Sequence, residues 1–282
     1  MEQPNIQRKK DILFVGHLQE IDDLRSYGRD APLLETEKNK QDLKKIVDAI
    51  ELKIRETNKK AVLFVTSPRI RAKETARLVS LKLREKLGDG FKFRYSTDEN
   101  MKSTEQGEFI LPENYEAGSF FEGLSIASKI FIQESLEQKN KNLNYRFGDP
   151  VIEPDGSFKY AELAKYFKAS GETYAESLIR IFNSIIEMSK KINKLDKNTE
   201  VVLVSHGFNF HILRGLTIIG EKIKKDEVNL NHGDFVFKIW EIYKNNTEDF
   251  KSLAYVPLDI TDLGNEELIL FLSKEVEFLK NT

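Results

Sequence analysis

The sequence predicts an α/β protein, a three-layer sandwich with helices on both faces of a mostly parallel sheet, and three observations carry that expectation. Val201, Val202, Leu203 and Val204 form an uninterrupted apolar run rich in β-branched residues, as expected of a strand buried on both faces of a parallel sheet. Two further runs repeat the design, Ile12 to Val15 and Ala61 to Val65. Apolar residues recur at helical spacing between and after these runs, and strands alternating with helices argue for an α/β sandwich. Each run also ends in turn chemistry, at Gly16-His17, Thr66-Ser67-Pro68 and Ser205-His206-Gly207. Such tips lie at the carboxyl edge of a sheet, where open α/β sheets bind ligands.

The elements follow in order. Residues 18–34 read as a loop, with turn residues at Tyr27-Gly28 and Asp30-Ala31-Pro32. Residues 35–57 read as a helix with Leu43, Ile46, Val47, Ile50 and Ile54 on one face and lysines on the other. Ser67-Pro68 is expected to start the next helix, since serine caps free amides and proline suits the first helical position. That helix runs to Leu87 and closes at Gly88-Asp89-Gly90, and Phe91 to Tyr95 then alternates like a strand. Residues 98–170 are punctuated by glycine and proline, with one helical piece near 123–138. They are expected to form a cap-like insertion over the sheet ends.

An amphipathic helix spans 173–193, with Leu178, Ile181, Phe182, Ile185, Ile186 and Met188 as its apolar set. Asp234 to Tyr243 alternates as a strand, an edge able to pair two copies of the chain into a homodimer. Glu266 to Leu279 reads as a final helix. The reading is one domain over residues 1–282, with 244–282 as a C-terminal extension.

Composition narrows the function classes. The 282 residues suffice for a substantial core, and 40% hydrophobic with 32% charged residues describes an ordinary globular chain. A formal net charge of −2 gives no electrostatic case for nucleic acid. With no cysteine, disulfides, thiolate catalysis and zinc-thiolate sites are excluded. The polar start MEQPNIQRKK and the short apolar run after it fit neither a signal peptide nor a membrane span, so a cytoplasmic protein without a membrane partner is expected.

Three adjacent strand tips would gather His17, Arg69 or Arg71, and His206 into a cationic pocket with two imidazoles. That chemistry suits an oxyanionic substrate. A neutral imidazole is a competent nucleophile toward phosphorus, and the covalent product is later hydrolysed by water. Phosphoryl transfer then depends on positioning and on cations around the equatorial oxygens. Arg71 can grip two of those oxygens at once, and a helix start at Ser67-Pro68 adds amides that favour an anion. A carboxylic acid must protonate the leaving oxygen. His211 and His232 lack the spacing of a zinc site, so no metal or other cofactor is expected.

Val15-Gly16-His17, the run from Ser67 through Arg71 to Ala76, Gly171-Glu172-Thr173 and Val204-Ser205-His206-Gly207 resemble, in order, the motifs of the histidine phosphatase superfamily, the phosphoglycerate mutase-like proteins. The likeness spans residues 11–243, and Asp30 to Leu34 and Arg180 also fall where that family has similar residues. The resemblance implies a phosphoglycerate mutase-like fold. It casts His17 as the phosphorylated nucleophile, and Arg71 and His206 as phosphate clamps. Gly16, Ser67, Arg69, Arg29, Glu172 and Gly207 join the expected substrate-binding set.

Two departures fall inside the site. The family's first motif is Arg-His-Gly, whereas this chain reads Gly16-His17-Leu18; Arg25, Arg29 or Arg69 are candidates for the missing guanidinium. Losing one such preorganised donor costs about 3 kcal/mol, on the order of a hundredfold in rate. The family's acidic proton donor aligns with Ser103, which leaves Glu105 or Glu108 for that role.

The expected activity is hydrolysis of a small phosphomonoester through a phosphohistidine on His17. The alternative is a pseudoenzyme that keeps the fold and the anion pocket as a phosphate-ligand-binding or regulatory module. A phosphomutase, lyase or isomerase is a third option. Blander readings attach to single residues. Arg69 can point to solvent, Glu172 can stabilise the amides at the start of its helix, and lysine runs at 38–60 and 189–197 are solvated helix faces.

Overall fold

The computed structural model describes residues 11–16, 18, 33, 35–103, 108–109, 126–137, 142–151, 155–157, 167–169, 171–192, 194–207, 209–210, 212–216, 234–245, 255–259 and 266–281. In chain order the elements are β1 (Asp11–Gly16), α1 (Glu37–Thr57), β2 (Ala61–Thr66), α2 (Ile70–Leu87), β3 (Lys92–Thr97), β4 (Glu108–Phe109) and β5 (Phe167–Ala169). There follow α3 (Tyr174–Ile192), β6 (Thr199–Ser205), α4 (Asp234–Asn245), β7 (Tyr255–Asp259) and α5 (Glu266–Lys280).

The main sheet has the order β3-β2-β6-β1-β7. Its first four strands are parallel, and β7 joins β1 antiparallel. Pro257, which has no amide to give a ladder, sits in that edge strand. A separate antiparallel pair, β4 with β5, lies within the 98–170 stretch.

Side-chain alternation along the strands builds three layers. Leu13, Val15, Val62, Phe64, Val202 and Val204 face one way, onto Ile46 and Ile50 of α1 and Ala76 and Leu83 of α2. Ile12, Phe14, Val65, Val201 and Leu203 face the other way, onto a larger cluster built by α3, α4, α5 and the helical residues 209–210 and 212–216. The α/β sandwich with helices on both faces is the observed architecture.

The helix ends follow local chemistry. Thr36 caps α1 by accepting the Asn39 amide at 3.1 Å. Asn58 ends it at φ 50°, with Asn58 N–H on Arg55 O and Lys59 N–H on Ile54 O, the paired closure of a left-handed C-terminus. At the start of α3, Thr173 Oγ1 accepts from Glu176 N at 3.0 Å while Glu176 Oε2 accepts from Thr173 N at 2.8 Å, a reciprocal cap.

Three local expectations are corrected. Residues 234–243 form the helix α4, not a strand. Nearly every residue from Phe235 to Trp240 is apolar, so periods of 2 and 3.6 both fit, and packing decides between them. Phe235, Val236 and Ile239, on one helical face, are fully buried, with Phe235 lying between Phe182 and Phe271. The edges of the sheet are therefore β3 and β7. Second, α2 begins at Ile70 behind Arg69, two residues later than expected, because Ser67 N–H still extends the ladder to Val204 O at 2.9 Å. Third, the helical piece near 123–138 is α-helical over 126–132 and passes into a π-helical turn, Gln133–Glu137.

Candidate functional site

Three strand tips lie side by side. β6 runs between β2 and β1, all parallel, so their carboxyl ends share one edge of the sheet. Val204 is the register partner of Thr66, and Ser205 is the partner of Gly16.

His206 follows β6 directly and is 3% exposed. Its Nε2 lies 2.8 Å from Ser67 Oγ, and its Nδ1 lies 3.4 Å from Arg71 Nη2. The first turn of α2 delivers the half-buried Arg71, while the end of β2 delivers Ser67, itself fully buried. Ser67 Oγ also accepts the Arg69 amide at 3.3 Å. Sequence reasoning gave this serine the role of a helix cap. The fold gives it to the histidine across the strand pair.

His17, Arg25, Arg29, Glu105, His211 and His232 lie outside the described residues. The neighbours of position 17 are described on both sides. Gly16 pairs with Ser205 in the sheet, and Leu18, 4% exposed, donates its amide to Thr75 Oγ1 at 3.1 Å. Thr75 donates in turn to Arg71 O at 2.7 Å, so one hydroxyl ties the chain after position 17 to the helix that carries Arg71. Glu74 accepts the Leu33 amide at 3.2 Å and holds a second point of that segment.

Behind the histidine a polar collar fixes the segment after β3. Met101 O accepts from Ser205 Oγ at 2.7 Å and from Asn209 Nδ2 at 2.8 Å. Lys102 O accepts from Asn209 Nδ2 at 3.0 Å and from Arg180 Nη1 at 2.9 Å. Arg180 also donates to Asn100 O, and Ser184 donates to Asp98. Ser103, half-buried, follows directly on this clamped stretch. Glu108 opens β4 opposite Ala169.

Glu172 does not cap its helix. Its two oxygens accept from Arg180 Nε and Nη2, each at 2.9 Å, with the two side chains 10% and 9% exposed. The cap falls to Thr173 and Glu176. Burial raises the pKa of Glu176, but the Thr173 amide and the Arg146 guanidinium outweigh it, and the carboxyl is held below its ordinary value. Arg69 is half-buried at the N-cap of α2, and Gly207 is exposed at the start of the helical turn after β6.

Sequence reading thus found Ser67, Arg71, His206 and Gly16 at one edge. It missed Thr75, Asn209 and Ser205, whose only signal was their placement inside or just after the motifs. Among the described residues no group of three or more His, Asp or Glu side chains is arranged to hold a metal ion, and no helix is long and apolar enough to cross a membrane.

What the arrangement offers is a guanidinium and an imidazole edge meeting at the mouth of a parallel sheet. A tetrahedral oxyanion is the ligand shape that two such groups can share.

No family model and no curated protein matches the chain. Among solved structures, that of the open reading frame Rv3214 from Mycobacterium tuberculosis is similar at 15% identity, covering 74% of this chain and 81% of that chain with a TM-score of 0.38. A likeness of that size carries no argument about chemistry.

Proposed function

We propose that the protein is a phosphatase that hydrolyses a small phosphomonoester through a phosphohistidine intermediate on His17. One observation carries the reading: Arg71 Nη2 and His206 Nδ1 stand 3.4 Å apart where two parallel strands end. Supporting it, the residues on either side of position 17 are anchored to that same pair of elements, Gly16 beside Ser205 and Leu18 on Thr75.

In this reading an imidazole nitrogen of His17 attacks phosphorus, and the bond to the leaving oxygen breaks as Glu105 or Glu108 gives that oxygen a proton. Arg71 and His206 hold the equatorial oxygens through the transfer. Water then attacks the phosphohistidine, the carboxylate takes the proton of the water, and phosphate leaves with the imidazole restored. The substrate set also includes Ser67, Arg69, Arg29, Glu172 and Gly207.

The test is trapping with a labelled generic phosphomonoester under neutral or alkaline quench. Wild type is expected to carry label and His17→Ala none. Equal, negligible label in both would sink the phosphatase.

Gly16, standing where the resembling family has an arginine, favours a second reading as a phosphate-ligand-binding module without turnover. It predicts calorimetric binding of phosphate esters that Arg71→Ala weakens, with no label on His17.

A further inference from the structure

The bonding around His206 determines which ring nitrogen carries the proton. Arg71 Nη2 lies 3.4 Å from Nδ1, and a guanidinium has donors but no acceptor. Nδ1 therefore accepts this long hydrogen bond, which puts the proton of the neutral ring on Nε2. Ser67 Oγ, 2.8 Å from Nε2, is then the acceptor of that N–H. Its position is set by the backbone, since Ser67 N–H is bonded to Val204 O at 2.9 Å, two residues before His206. Both side chains are buried, so the contact is shielded from competing water.

An oxyanion that settles against Arg71 meets a lone pair at Nδ1 instead of a donor. Two facing lone pairs repel, so the neutral ring beside Arg71 is not by itself a two-handed anion clamp.

From this we infer that oxyanion binding at the Arg71–His206 edge takes up one proton from solvent onto His206 Nδ1, with Ser67 as the positioning residue that keeps the other proton on Nε2. As the anion arrives, Arg71 turns its N–H groups to it. Nδ1 gains a proton, and the imidazolium donates to the anion through Nδ1 and to Ser67 through Nε2. One proton enters to form the Nδ1–H bond, the Arg71–Nδ1 hydrogen bond is given up, and no other covalent bond is made or broken. The negative charge of the ligand favours the imidazolium, and the facing Arg71 opposes it.

Among the described residues, the neighbouring charged groups are engaged as follows, with Arg69 at the N-cap of α2 giving its amide to Ser67 Oγ. From α2, Arg71 faces the ring and Glu74 accepts the Leu33 amide. From the α3 side, Glu172 is held by Arg180. From the segment after β3, Lys102 contributes its carbonyl to Asn209 and Arg180. The inference rests on the anion pocket of the phosphatase reading, and it adds that the ligand enters together with a proton.

The experiment titrates sulfate, a dianion with no proton to give, into the intact chain at about pH 8, above the ordinary histidine range. Calorimetry in two buffers of different ionisation enthalpy reads the proton count. Wild type is expected to take up about one proton per sulfate bound, and His206→Gln to bind weakly with no uptake. Nitrogen-15 spectra of the four imidazoles, with the His206 signal assigned by that variant, read the ring directly. The expected spectrum is the Nε2–H neutral form when empty and the doubly protonated ring with sulfate.

Ser67→Ala removes the acceptor without enlarging the side chain, and is expected to bind sulfate with smaller uptake. Should His206→Gln not bind at all, the ring spectra of wild type decide. Sulfate bound without uptake, uptake that persists in His206→Gln, or an Nδ1–H ring in the empty protein overturns the inference and leaves the phosphatase reading standing. No sulfate binding in wild type overturns both.

Discussion

At Gly16 a Cβ would meet nothing within 4 Å, so a side chain can leave the backbone there without a clash at its first atom. Gly16→Arg is therefore expected to fold and to supply the guanidinium that the resembling family has at this position. In a phosphatase the added donor should raise turnover of a phosphomonoester on the order of a hundredfold, measured as kcat on wild type and variant side by side. A variant as inactive as its parent would favour the binding module. The Glu172–Arg180 pair makes a second prediction at this scale. Both side chains are about nine-tenths buried, and Arg180 gives Nη1 to the carbonyls of Asn100 and Lys102. Removing one partner of such a pair leaves the other charge buried. Glu172→Ala is expected to cost about 3 kcal/mol, read from urea unfolding, and replacing both partners with apolar residues should cost less than the single change.

Among the elements, the contact between the helical residues 212–216 and α4 depends on one glycine. A Cβ at Gly215 would stand 2.7 Å from Ile239 Cγ2 and 3.2 Å from the Ile239 backbone. Isoleucine in a helix has little rotamer freedom with which to retreat, and the backbone cannot yield without moving α4. Gly215→Ala is expected to destabilise the fold by about 1–3 kcal/mol as overpacking, despite the better helix propensity of alanine. Pairing Gly215→Ala with Ile239→Ala, which removes the opposing Cγ2, should cost less than the sum of the two single changes; strictly additive costs would place the strain elsewhere. Packing of this kind is what makes 234–245 a helix, because its buried face is set by residues 212–216 together with α3 and α5.

For the whole molecule, charge links one layer to itself. Lys86 of α2 reaches Asp48 at 2.6 Å and Glu51 at 2.7 Å across the surface of α1. Lys44 and Lys86 hold the Asp48 carboxyl below its ordinary value, and Lys86 chiefly does the same for Glu51. A lowered carboxylate contributes stability that is present above its unfolded pKa and is lost as pH falls through the folded value. The melting temperature should therefore fall from about pH 5 toward pH 3. The effect should shrink in high salt, since the cluster lies at the surface with Lys86 and Asp48 open to solvent. Lys86→Met is expected to flatten that slope, as measured by thermal melts across the range. Superimposable slopes would mean that the α1–α2 link adds nothing.

What the amino-acid sequence determined by itself is what short-range periodicity and turn chemistry can encode. The three apolar runs are strands, their tips carry Gly16, Ser67 and His206, and α1, α2, α3 and α5 lie within a few residues of their expected spans. Thr36, Asn58 and the Thr173–Glu176 pair could be read the same way, since each cap is made by neighbours in the chain. The tertiary structure decided what depends on partners far along the chain. Residues 234–243 carry two periods at once, and only burial against Phe182 and Phe271 selects one. Ser67 and Glu172 both looked like helix caps because a polar side chain before a helix has amides close by. Folding brought each a stronger partner, His206 across 139 residues and Arg180 two turns along its own helix. A hydrogen bond between distant residues leaves no local period to read, so the serine that positions the histidine became visible only once β2 and β6 lay side by side.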